Sequence, residues 1–203
     1  MPTDPDLLLR ATLTVVAACA LMAASLPSSE PFAITPPSAD NPAMFRKLFS
    51  FEFESSVAQW NAIDDVVMGG VSHSRIRHDP AGHAVFEGTV SLENNGGFAS
   101  VRSRPQDLGA PGAIGYLVEA RGDGKRYKLT VRTDDAFDAV NYLATFDAPA
   151  GTWTLVHVPL AEFRTSFRGR PVPGAPALDP ARVRQIGPLL RRQVQLGPAF
   201  RLA

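Results

Sequence analysis

The stretch RYKLTVR, Arg126 to Arg132, alternates apolar and polar side chains without a break. Successive side chains of a strand point to opposite faces, so Tyr127, Leu129 and Val131 form a core face and Arg126, Lys128, Thr130 and Arg132 a charged one. Just before it, Gly122-Asp123-Gly124 supplies the left-handed conformations of a tight reversal. The same period of two recurs in both directions, broken by turn residues, and predicts strands at 49–54, 73–78, 84–92, 98–103, 114–120, 126–132, 140–146, 152–158, 184–190 and 199–202. In the eighth of these Trp153, Leu155 and His157 alternate with Thr152, Thr154 and Val156. Only DPARVRQI departs, with Asp179 placed to cap and Pro180 to open a short helix. The fold class is all-β, a sandwich or barrel.

The composition agrees with one folded domain: 45% of the 203 residues are hydrophobic, and 18 prolines and 16 glycines are spread without a repeat. Net charge is zero but uneven. Arg164, Arg168, Arg170, Arg182, Arg184, Arg191, Arg192 and Arg201 face only Asp179 after residue 163, so residues 1–163 carry the balancing negative excess. These arginines are dispersed among prolines, without interleaved aromatics or a reader motif, which argues for a solvated rim and against nucleic acid. Cys19 is the sole cysteine, so no intramolecular disulfide forms.

Ala11–Leu26 is an apolar run suited to a leader core and short for a membrane span, and the chain divides into a leader (1–26), a linker (27–47) and a domain (48–203). Three readings of this end stay open. Cleavage after Ser25 fits the small residues Ala23 and Ala24; Val16-Ala17-Ala18-Cys19 resembles a lipoprotein box; and Met44 offers a cytoplasmic start. Export or anchoring in the cell envelope ranks first, although Asp4 and Asp6 against Arg10 make an unusually acidic leader head.

Two glycine-paired motifs bracket the centre of the chain. DDVVMGGVS runs from Asp64 to Ser72 and SLENNGGFASVRS from Ser91 to Ser103. Gly69-Gly70 and Gly96-Gly97 allow positive φ and close approach, so both read as shaped loops. In the second, Glu93, Asn94 and Asn95 turn the chain, after which Phe98, Ser100 and Arg102 share one strand face and Ala99 and Val101 the other. An aromatic ring, a hydroxyl and a guanidinium beside polar turn residues make a binding surface. Asp64 and Asp65 have two readings: carboxylates that fix their loop through nearby backbone amides, or ligands of a cation. The candidate site is therefore Asp64, Asp65, Met68, Gly69, Gly70, Glu93, Asn94, Asn95, Gly96, Gly97, Phe98, Ser100 and Arg102.

No catalytic signature accompanies it. His73, His78, His83 and His157 have no metal-site spacing, GVSHS places Ser74 where a nucleophile elbow needs glycine, and no phosphate or dinucleotide loop occurs. No cofactor and no metal are expected. Arg168-Gly169-Arg170-Pro171 offers donors to a carboxylate or phosphate, or ties a loop to the sandwich.

WNAIDDVVMGGVS, FEGTVSLENNGGFASVRS, GDGKRYKLTVRTD and FRGRPV, in this order, closely resemble the NADH:ubiquinone oxidoreductase (complex I) intermediate-associated protein 30 family over roughly residues 48–202. The resemblance implies a galactose-binding-like jelly-roll sandwich, as in carbohydrate-binding modules, and a chaperone-like role in assembling membrane-arm intermediates of complex I. Three departures stand out. Asp64-Asp65 replaces the family's Asn-Asp, LLRRQVQLGPAF brings arginines and one extra residue, and the chain stops at Arg201-Leu202-Ala203, before the closing strand normally ends. A sheet edge left short there would suit a partner strand.

The leading expectation is a monomeric, non-catalytic binding or assembly module whose partner is a protein, such as an assembly intermediate of a membrane complex. The second is a glycan- or small-ligand-binding module, with Trp153, Tyr142 or Phe98 stacking on a sugar. An enzyme ranks third, because Asp64, Asp65 and Glu93 would have to supply two carboxylates at a defined separation.

Overall fold

The computed structural model describes residues 7–19, 45–136 and 138–191, the first of these segments as backbone. Two antiparallel sheets pack face to face. The first joins β1 (Leu7–Cys19), β2 (Phe45–Lys47), β4 (His73–Asp79), β5 (His83–Val90), β7 (Ala113–Arg121) and β10 (Thr154–Pro159) in the order β10-β7-β1-β5-β4, with β2 on β1. The second runs β12-β11-β9-β8-β13-β6-β3, from β3 (Trp60–Ala62), β6 (Phe98–Ser103), β8 (Arg126–Arg132), β9 (Asn141–Asp147), β11 (Arg164–Phe167), β12 (Arg170–Pro171) and β13 (Gln185–Arg191). This is a jelly-roll sandwich of the all-β class. Among the described residues no helix is long and apolar enough to cross a membrane.

The core forms where inward faces meet. Tyr127, Leu129 and Val131 are fully buried, as the alternation requires, and pack with Phe86, Tyr116, Val118, Tyr142, Phe146 and Ile186. One expectation on strand faces needs correction. Thr130 and Arg132, on the face expected to be charged and solvated, are 8% and 1% exposed. Trp153 and Leu155 face outward, so Val156 and Val158 supply the inward side of β10.

The strand expected at 49–54 does not form. Phe49 and Phe51 stack at 6.5 Å and close on Trp60 at 4.8 and 5.7 Å, an aromatic plug that packs side chains without a ladder partner. Phe53 is 70% exposed, and a 3-10 turn follows at Glu54–Gln59. At the one helix expected, Pro180–Arg182 makes a single 3-10 turn, and the Asp179 side chain accepts a bond from the Ala181 N–H as a cap. The strand expected at 199–202 lies outside the described residues, as does Pro27–Ala43 of the linker.

Leu7–Cys19, most of it within the apolar run read as a leader core, is a strand between β5 and β7, antiparallel to both. Leu13 pairs with Ala84 on one side and Ala120 on the other, and β2, within the stretch read as linker, lies alongside the end of β1. A strand so placed gives the sheet its continuity. Proline at residue 13 would remove a ladder donor from a strand flanked on both sides. Leu13→Pro is expected to lower the thermal midpoint of the full chain by roughly 5–10 °C, measured by circular dichroism. An unchanged midpoint would show that β1 adds nothing to the sheet.

Candidate functional site

The loop after β3 and the loop before β6 meet at two carboxylates. Asp65 opens a 3-10 turn, Asp65–Met68, and is fully buried. Its Oδ1 accepts the Ser72 N–H at 2.9 Å; its Oδ2 accepts the Ser72 Oγ–H at 2.5 Å, the Gly97 N–H at 2.6 Å and the Phe98 N–H at 3.1 Å. Burial pushes the Asp65 carboxyl up, but these hydrogen bonds from Ser72, Gly97 and Phe98 outweigh it and hold the group below the usual carboxylate range. Ser72 Oγ also accepts the Ser91 N–H at 3.0 Å, which ties in the end of β5.

Asp64 does the same work one step away. It accepts the Ser74 N–H at 2.7 Å, the Ser74 Oγ–H at 2.6 Å and the Ser100 N–H at 2.9 Å, while the Ser100 hydroxyl donates to Ile63 O. Both aspartates therefore fix loops, as one sequence reading has it. The partners lie not two or three residues on but 7 to 36 away, across two sheets. Among the described residues no three metal-ligating side chains cluster.

Each glycine pair divides its labour. Gly69 turns the chain at φ 91°, and Gly97 lies at φ 133°. Gly70 and Gly96 instead make room: a Cβ on Gly70 would strike the Asp65 carboxylate, and one on Gly96 would lie 2.6 Å from Asp65 Oδ2. Asn94 and Asn95 adopt φ of 53° and 63°, which few residues besides asparagine and glycine tolerate.

The expected residues thus fall into two groups. Asp64, Asp65, Gly70, Gly96, Gly97 and Ser100 form the scaffold, whereas Met68, Gly69, Glu93, Asn94 and Asn95 are exposed and Phe98 and Arg102 are partly so. The sequence reading missed Ser72 and Ser74, although their spacing of two where the loop enters β4, following two aspartates, is a signal of paired capture. It named Met68 but missed the rest of the apolar crown around it. Val66, Val67, Met68, Val71 and Leu92 are 60, 62, 58, 44 and 40% exposed, on loops held from beneath. An apolar surface that cannot collapse inward is suited to contact with another apolar surface.

A family model described as complex I intermediate-associated protein 30 matches residues 49–203. Uncharacterized protein C9E9.15 of Schizosaccharomyces pombe (strain 972 / ATCC 24843) is 29% identical over 150 residues, 65% of this chain and 68% of that protein. Among solved structures, the family 11 carbohydrate-binding module of the cellulosomal cellulase Lic26A-Cel5E of Clostridium thermocellum superposes with a TM-score of 0.50 at 13% identity, covering 68% of this chain and 81% of its own. At that identity the likeness is one of fold.

Asp65→Ala would strand four donors, each costing about 1–3 kcal/mol when left unmade, so a loss of at least ~3 kcal/mol is expected in denaturant unfolding. The pH dependence has a defined sign. A carboxyl lowered in the fold stabilises above its ordinary pKa, and that contribution is lost as pH falls through the lowered value. The stability gap between the natural protein and Asp65→Asn should be full at pH 7 and shrink below about pH 4.

Proposed function

This chain belongs to the complex I intermediate-associated protein 30 family, and on that premise we propose that it is a non-catalytic binding and assembly module for a membrane protein complex. Its partner is a partly assembled protein of that complex. The observation that carries this reading is the crown of Val66, Val67 and Met68, solvent-facing yet anchored by Asp64 and Asp65. Preorganised apolar contacts cost little ordering entropy when a partner docks. Asn94 and Asn95, exposed on the loop that Asp65 holds through the Gly97 and Phe98 N–H groups, would supply hydrogen bonds around the apolar centre, with the Phe98 ring and, further along β6, the Arg102 guanidinium as added contacts.

Affinity purification from the native host tests this. A Val67→Glu, Met68→Glu protein should fold as the natural one does, because both side chains are exposed, and should recover its partner about tenfold less well. Identical partner recoveries would count against the docking surface, and recovery of no respiratory-complex protein by either would count against the assembly role.

One observation favours the glycan reading instead. Trp153, 37% exposed, lines a cleft of about 410 Å³ with Asp79, His83, Glu119 and Arg121, the Arg121 guanidinium 5.1 Å above its ring and His83 edge-on at 5.2 Å. An indole beside carboxylates is the chemistry of sugar stacking. Tyr142 is buried and drops out of that role. On a glycan array any bound sugar should be lost in Trp153→Ala, and an array with no binder removes this reading.

A further inference from the structure

The cleft beside Trp153 carries a charge pattern that selects among sugars. Trp153 precedes β10, which lies on the far side of β7 from β5, yet its ring comes within 5.2 Å of the ring of His83 at the start of β5. The indole therefore reaches across β7 and β1 toward the β4–β5 turn. Asp79 pairs with His83 across that hairpin, His83 stands one step beyond the Ala84–Leu13 pair, and Glu119 pairs with Thr14 of β1. Asp79, His83 and Glu119 thus share one row across the sheet, and three strand spacings set the two acidic residues roughly 14 Å apart at Cα. A row of that length exceeds one sugar ring, so an oligosaccharide is the ligand that would fill it.

Two carboxylates and one guanidinium line this cleft. The Ala81 N–H donates to Asp79 at 3.0 Å, and this bond, aided by the nearby charges of His83 and Arg77, holds the Asp79 carboxyl below the usual range against the effect of burial. Glu119 is exposed, and its carboxylate makes no ion pair among the described residues. Arg121, two residues further along β7, lies over the Trp153 ring at 5.1 Å. The indole already holds a cation, and the carboxylate in the same cleft holds none. An aromatic ring with an open carboxylate suits a sugar that carries positive charge. The same carboxylates would repel a uronate, and they give a neutral sugar no electrostatic advantage.

Resting on the glycan reading, we propose that this cleft takes a cationic oligosaccharide built of amino sugars. A pyranose ring packs on Trp153, its ammonium group lies against Glu119, and Asp79 meets a second amine along the row. N-acetylation of the ligand removes the charge and with it the preference.

Glucosamine tetrasaccharide and N-acetylglucosamine tetrasaccharide are the probes, titrated by calorimetry into the full chain at low ionic strength and at a pH that keeps the amines protonated. The glucosamine oligomer should bind about three- to tenfold more tightly, a margin that falls as salt is added. Glu119→Gln should keep the thermal midpoint, because the side chain is exposed, and should bind the two oligomers alike. Arg121→Gln should widen the margin, since a competing cation is gone, and Trp153→Ala should lose both ligands. Spermidine, charged but without a sugar ring, should not displace the glucosamine oligomer at equal concentration. A preference that survives Glu119→Gln, or displacement by spermidine, would overturn the proposal. Equal affinity for the two oligomers, lost in Trp153→Ala, would overturn it and leave the glycan reading standing, whereas a protein that binds no sugar would remove both.

Discussion

Four hydrogen-bond donors from two distant parts of the chain converge on the single buried carboxylate of Asp65. That convergence is the constraint on which the loop end of the sandwich depends. Ser72 opens the approach to β4, Gly97 and Phe98 open β6, and the carboxylate can reach both only because Gly70 and Gly96 present no side chain. Asp64 repeats the bond pattern toward Ser74 and Ser100, so the two loops, each crossing from one sheet to the other, are tied together at both aspartates. The apolar residues between them remain on the surface because the backbone that carries them has nowhere to fold.

Much of this architecture could be read in the amino acids, because a half-buried strand writes its period into its residues. RYKLTVR and FASVRS alternate as the sheets require, and β4 to β10 and β13 fall within a few residues of their expected bounds. β3, β11 and β12 hold three, four and two residues, too few to display a period. β1 failed for the opposite reason. A run that is apolar at nearly every position has no alternation, so a leader core and a strand with neighbours on both sides look alike in composition.

The site was legible in its residue types but not in its contacts. Adjacent aspartates next to paired glycines announced a shaped loop; that their partners would be Ser72, Gly97 and Ser100 depends on tertiary placement, which local spacing does not encode. Arg132 teaches a related point. Alternation assigned its face correctly, but a side chain that points away from the core is not thereby in solvent, since the chain beyond β8 turns back past it with Asp134 and Asp138. Part of the cationic excess of the last forty residues is spent against that acidic loop, through Arg168 and Arg184.

The place of β1 has a temporal consequence. Residues 7–19 are synthesised long before 83–90 and 113–121, the two segments that must flank them. The earliest strand of the sheet thus waits, unsatisfied and apolar, through about a hundred residues of elongation, with most of its ladder closed by long-range pairing. Until residue 121 has been made, the backbone donors and acceptors of this strand lack one or both of the neighbours that satisfy them, so the sheet closes last around the strand that was made first.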